Sequence, residues 1–225
     1  MTMIAAIFRK EYYKIRWPWL IVLLFNLGLM GYIGIATRRL FILDHPEVVW
    51  YRVLHLGQIH CEHLMYAPLL SGILIACFQF LPEMRGERFR LVLHLPVSPG
   101  YVALSHLFVG LTAYMILACM DLALLGAITA RFFSREGIMT TLITALPWIL
   151  AGAAAYLGGA LTLLEPNSRL RAVNLALSAG VAGLYLGKGM PGSYAPSIGL
   201  LVLPLALMML AILLPVLRFR YRRVG

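Results

Sequence analysis

The chain has 225 residues, is 61% hydrophobic and only 12% charged, carries a net charge of +10, and has a mean hydropathy of +0.86. A soluble domain carries about 25% charged residues, so this composition excludes an ordinary globular fold and points to a polytopic helical membrane protein. The positive charge is not a nucleic-acid signal, because it sits in short connections and tails beside apolar runs, where it sets membrane orientation.

Ile4, Ile7, Phe8, Tyr12 and Ile15 share one helical face, with Arg9, Lys10, Lys14 and Arg16 off it. This pattern predicts an amphipathic interfacial helix at the N-terminus, or simply the basic flank of the first span. The apolar run 17–37 is too long for a signal-peptide core and lacks a small-x-small cleavage site, so it reads as a retained first span, anchored by Trp17 and Trp19. Asp44 and Glu47 fit a capping box for a short interfacial helix over 45–58.

The second span is expected at 60–81. A charged island, PEMRGERFRLVLHLPVSPG, follows over 82–100. Pro82 can open a helix. Phe89, Val92 and Leu93 recur at helical spacing, with Glu83, Arg85, Glu87, Arg88 and Arg90 around them. Leu95-Pro96 closes that helix, because a residue before proline disfavours the α region, and Ser98-Pro99 starts the next. Further spans are expected at 102–130, 139–164, 172–187 and 198–217. Pro147 is a kink candidate, Pro204 and Pro215 lie inside the last span, and 187–197 is a Gly/Pro-rich loop.

Six spans put both termini on one side. Cations at 9–16, 85–90, 169–171 and 218–223 are about twice as numerous as those at 38–52, 131–135 and 188, so both termini and the island are expected in the cytoplasm. The fold expected is therefore an all-α polytopic membrane protein. It has six transmembrane helices, an N-terminal amphipathic interfacial helix and a cytoplasmic helix at 82–95, in a single domain over 1–225.

No phosphate-cradling loop, nucleophile elbow or H-E-x-x-H pattern is written, so neither ATP hydrolysis nor other catalysis is expected in this chain. Asp121 lies inside the third span, where an acid costs about 2.5–3.5 kcal/mol on insertion scales. It must face protein or water, either touching a cationic substrate or proton, or pairing structurally with Asn174, a tyrosine or another subunit. His60 and His63 stand one helical turn apart beside Cys61 and Glu62 and are weak metal candidates, since the spacing matches no strong zinc pattern. Ala151, Ala155 and Gly159 form a small-residue strip for close helix contact, within the chain or between subunits. Cys61, Cys77 and Cys119 are far apart and make no disulfide framework.

The flank IFRKEYYKIR over 7–16, together with Glu83, Glu87, Leu91, Leu93, Leu95, Pro96, Val97 and Ser98 after the second span, resembles the ABC-2-type membrane subunit of an ATP-binding-cassette transporter. Family members often show a glycine-threonine pair before the leucines; here Gly86 is followed by Glu87. The resemblance implies that 82–95 is a coupling helix. It would bury Phe89 and Leu93 in a separate ATPase subunit, with Glu83, Glu87 and Arg88 at the rim. It also implies a second permease, identical or not, ATP and Mg in the partner ATPase, a bacterial inner-membrane location, and export rather than import. Residues 187–197 would form the outer gate. Two alternatives are the membrane subunit of the haem exporter of cytochrome c maturation, and an integral-membrane metal-binding assembly factor using the histidines and Asp121.

Overall fold

The computed structural model describes residues 3–84, 98–187 and 189–221. The helices in order are α1 (Met3–Leu43), α2 (Pro46–Leu54), α3 (Ala67–Met84), α4 (Pro99–Thr129), α5 (Arg135–Leu163), α6 (Ser168–Tyr185), α7 (Ile198–Ala211) and α8 (Leu213–Tyr221). Short 3-10 turns at Glu62–Leu64 and Ala195–Ser197 precede α3 and α7. There is no strand among the described residues.

Among the described residues five segments are long and apolar enough to cross a membrane: Ile7–Leu43, Glu62–Met84, Pro99–Thr129, Arg135–Leu163 and Ala195–Arg218. Their outward faces are apolar; Ile21, Leu24 and Ile35 on α1 and Leu200, Leu203 and Leu210 on α7 are all exposed. A surface of that kind suits lipid rather than water. The chain is thus a helical, membrane-embedded protein.

The N-terminal helix is not a separate interfacial element. α1 runs unbroken for 41 residues through Arg16, Pro18 and Arg38-Arg39, a length of about 60 Å. The reason lies in its inward stripe. Ile7, Glu11, Ile15, Val22, Asn26, Met30, Ile33 and Thr37 are all buried at helical spacing. Contacts made by the first half of that stripe hold it against the bundle, and the helix tolerates the bond lost at Pro18.

Pro82 does not open a new helix either. It lies within α3, which continues to Met84. Ser98 does cap α4 with Pro99 at the first position, although its side chain makes no capping bond. The capping box at Asp44 is not formed. The N-cap is His45, and Asp44 instead accepts from Arg52 at 2.7 Å. The short α2 packs Val49 and Val53 on Phe133, and its Trp50 indole donates to the Phe132 carbonyl at 2.9 Å.

α5 is the axis of the bundle, with Ala151, Gly152, Ala154, Tyr156 and Ala160 all buried. Gly159 faces the Ala76 methyl of α3, where an added Cβ would sit 2.7 Å away. Gly159 of the small-residue strip is therefore spent inside the chain, on α3, and Ala151 and Ala155 are buried within the chain as well. α5 passes through Pro147 without a break. In the last apolar segment the helix interrupts at Ile212, between α7 and α8. Pro215, three residues on, has no N–H to bond the Ala211 carbonyl.

α6 is not among the five apolar segments, being diluted by Arg169, Arg171 and Asn174. Its contacts still run from one end of the bundle to the other. At one end Arg171 Nη2 donates to the Glu165 carbonyl at 2.9 Å, and at the other Tyr185 donates to the Leu201 carbonyl at 2.7 Å. The Glu165 end also holds Arg218 of α8, at 2.9 Å.

Candidate functional site

The N-terminal end of α1 meets the end of α3 and the start of α4 in a buried polar network. Glu11 is fully buried. Its Oε1 accepts from Lys14 Nζ at 2.6 Å and lies 3.0 Å from His106 Nδ1 of α4. Its Oε2 accepts from Gln79 Nε2 of α3 at 3.0 Å. That same amide nitrogen donates to the His106 carbonyl at 2.7 Å. Tyr156 of α5 reaches in, its hydroxyl lying 2.8 Å from Gln79 Oε1 and 3.1 Å from the Leu107 carbonyl. Gly110 makes room for this junction, because a Cβ there would collide with both Gln79 Oε1 and the Tyr156 hydroxyl.

Lys14 carries the network outward. Its ammonium also lies 3.1 Å from Glu83 Oε1, and Lys10 reaches the same oxygen at 2.8 Å. Glu83 is the second-last residue of α3. The two carboxylates and two lysines balance in charge. Desolvated acids of this kind are tolerated only when paired and hydrogen-bonded. The network therefore fixes α1, α3, α4 and α5 to one another next to residues 85–97, which lie outside the described residues.

Of the residues expected to contact an ATPase, Glu83 is in this network, while Glu87, Arg88, Phe89 and Leu93 lie outside the described residues. Sequence reasoning did not pick out Glu11, Gln79, His106 or Tyr156. The signal was present in Glu11, which falls four residues from both Ile7 and Ile15 on the apolar stripe. An acid at that position needs partners from other helices. Gln79 and His106, each within apolar runs, supply them.

Asp121 and Asn174 are not brought together. Asp121 is 2% exposed, and its Oδ2 accepts from Asn26 Nδ2 of α1 at 2.9 Å. Asn26 Oδ1 in turn accepts from Ser71 of α3 at 3.3 Å. Asn174 lies on α6, where its amide donates to the Leu161 carbonyl at 3.4 Å. The partner came from α1 because Asn26 continues the stripe that carries Glu11. Asp121 thus forms a second polar layer, deeper in the bundle than the first.

The histidines are also separated in role. His60 stacks on Phe133 with centroids 4.9 Å apart, while His63 meets the Tyr32 ring edge-on at 5.2 Å. Among the described residues no three His, Cys, Asp or Glu side chains gather closely enough to hold a metal ion. Burial pushes the Cys61 thiol up to about 12, away from the thiolate that metals prefer. The same burial lowers His60 to about 4 from an ordinary 6.5. The folded state therefore resists a proton that the unfolded chain accepts. His60 should cost stability as the pH falls from about 6.5 to about 4, by up to about 1.4 kcal/mol per unit, and no further below that. Unfolding midpoints in detergent for wild type and His60→Phe should diverge through that window; parallel curves would mean that His60 titrates freely.

Gly187, Gly189, Gly192 and Tyr194 line a cavity of about 240 Å³ together with Gly57, Glu62 and Trp148, among others. Gly57 and Gly192 adopt φ of +66° and +75°, a left-handed backbone that favours glycine. No protein-family model, no curated protein and no solved structure matches this chain.

Proposed function

We propose that the chain is the membrane-spanning permease subunit of an ABC-2-type transporter, working as an exporter with a separate cytoplasmic ATPase. The observation that carries this reading is the position of Glu83. It sits at the end of α3, directly before 85–97, and Lys14 links it to a network that spans α1, α3, α4 and α5. A coupling segment needs such a connection, because a push on a loose loop would not reach the helices. In this reading α6 is the sixth crossing. The shared end of α1 and α8 is cytoplasmic, facing the interior of a bacterial cell, and a second permease completes the translocation path. ATP and Mg belong to the partner.

The first test is co-purification. Mild detergent extraction from the native membrane should bring down a nucleotide-binding subunit whose ATPase activity depends on this chain. The second is specific to the segment. Glu87→Lys should leave the complex assembled but remove the coupling between ATP hydrolysis and transport. Recovery of this chain with no ATPase, or unchanged coupling in Glu87→Lys, would overturn the corresponding part of the proposal.

A further inference from the structure

The cations of the N-terminal segment divide into two sets with different surroundings. Lys10 and Lys14 turn inward to Glu83 and Glu11. Arg9 and Arg16 turn outward, both over the Tyr13 ring, with guanidinium carbons 5.9 and 5.0 Å from its centroid. Arg16 also lies 5.6 Å from the Trp17 ring. Neither arginine has a carboxylate at ion-pair distance among the described residues.

Arg16 stands at the rim of a lateral groove of about 570 Å³ between α1 and α4. Its walls are Ile15, Trp19 and Leu20 on one side and Val109, Ala113 and Ile116 on the other. The Trp19 indole donates to the Ala113 carbonyl at 2.9 Å and the Thr112 hydroxyl to the Phe108 carbonyl at 2.7 Å, so both of these polar hydrogens of the lining are already satisfied. The groove thus offers an apolar channel, open to the side, with a guanidinium at its mouth. Arginine binds phosphate oxygens in a bidentate fork, and stacking on aromatic rings holds it ready.

We infer that this groove binds one anionic diacyl phospholipid, its phosphate on Arg16 with Arg9 beside it and an acyl chain lying between α1 and α4. Charge complementarity decides against a second copy of this chain as the occupant. Glu11, Glu83 and Glu165, the carboxylates at this end of the bundle among the described residues, are 0%, 4% and 0% exposed. A copy in the same membrane orientation would have no exposed described carboxylate at this end to offer the two arginines, whereas the membrane surface does. The inference rests on the protein being membrane-embedded and not on the transporter reading.

The test is a lipid titration of the full chain in detergent, followed by native mass spectrometry. Palmitoyl-oleoyl phosphatidylglycerol is compared with phosphatidylcholine carrying the same chains. The first should bind more tightly, by about fivefold for each arginine engaged. Arg16→Gln, a substitution at an exposed position, should lower phosphatidylglycerol binding about fivefold and leave phosphatidylcholine unchanged. Filling the groove with Ala113→Phe, or with Thr112→Phe at its exposed edge, should weaken both lipids while the protein still elutes as a single species. Equal affinities for the two lipids in the wild type, or no effect of Arg16→Gln, would overturn the inference. So would a dimer mass that Thr112→Phe abolishes without any change in lipid binding, which would give the groove to a second copy.

Discussion

Replacing Glu11 with leucine is expected to destabilise the protein by about 3–5 kcal/mol, more than any other single side-chain change at this end of the bundle. The carboxylate is fully buried and takes contacts from Lys14, His106 and Gln79. Its removal strands an amide hydrogen of Gln79 and leaves the Lys14 ammonium with Glu83 as its one remaining carboxylate. Lys10 and Lys14 can then be ranked by exposure. The Lys10 side chain is 45% exposed, so its pair with Glu83 is screened and contributes about 0–1 kcal/mol. The Lys14 side chain is 15% exposed and bridges both acids, so Lys14→Met should cost clearly more than Lys10→Met. A double-mutant cycle between Lys14→Met and Glu11→Leu should show coupling of about 0.5–3 kcal/mol, because residues of one ionic network do not act independently. Detergent unfolding by denaturant, read by tryptophan fluorescence, supplies these numbers. A loss under about 1 kcal/mol for Glu11→Leu would mean that water reaches the site and that the network is a solvated ion cluster.

The parts of this fold that were legible in the sequence are those written in one dimension. Apolar runs located α3, α4 and α5 closely, since hydropathy is a property of a segment and not of its neighbours. Ser98-Pro99 marked the start of α4 for the same reason. Local rules failed where tertiary contacts overrode them. Pro82 can open a helix, yet α3 carries on to Met84, where Glu83 is held by the lysines of α1. Trp17-Pro18 could have ended an interfacial helix, yet α1 continues because Ile7, Glu11 and Ile15 have partners in the bundle. Asp121 stood out as an acid in an apolar run, but nothing local could select Asn26 over Asn174 as its partner. The two asparagines are distinguished only by the helix that packs against α4. The network at Glu11 was the hardest to see, because each of its members is unremarkable alone, and only the meeting of four helices makes it a site.

Gly152→Ala should destabilise the protein by about 1–3 kcal/mol, although alanine is the better helix former. A Cβ at Gly152 would collide with the Pro68 carbonyl oxygen of α3 and with the Tyr114 hydroxyl of α4. The carbonyl belongs to a helical backbone and cannot swing aside, so α3 and α5 would have to part. The obstruction is reciprocal, since a Cβ at Gly72 would meet the Gly152 carbonyl. Tyr114 would also be pushed from the Ile149 carbonyl, to which it donates at 2.6 Å. Gly28 of α1 is the control, because nothing lies within 4 Å of a Cβ built there. Gly28→Ala should stabilise the protein by about 0.5–1 kcal/mol through helix propensity alone. One chemical change is thus expected to act with opposite sign at two helical glycines, and thermal unfolding in a single detergent measures both. If Gly152→Ala were as harmless as Gly28→Ala, α3 and α5 would not be in backbone contact. The seam would then be too loose to carry a displacement from Glu83 into the bundle, so this measurement also bears on the proposed coupling. Transport assays on a Gly152→Ala protein that still folds would show whether a wedge in the seam weakens coupling before it unfolds the helices.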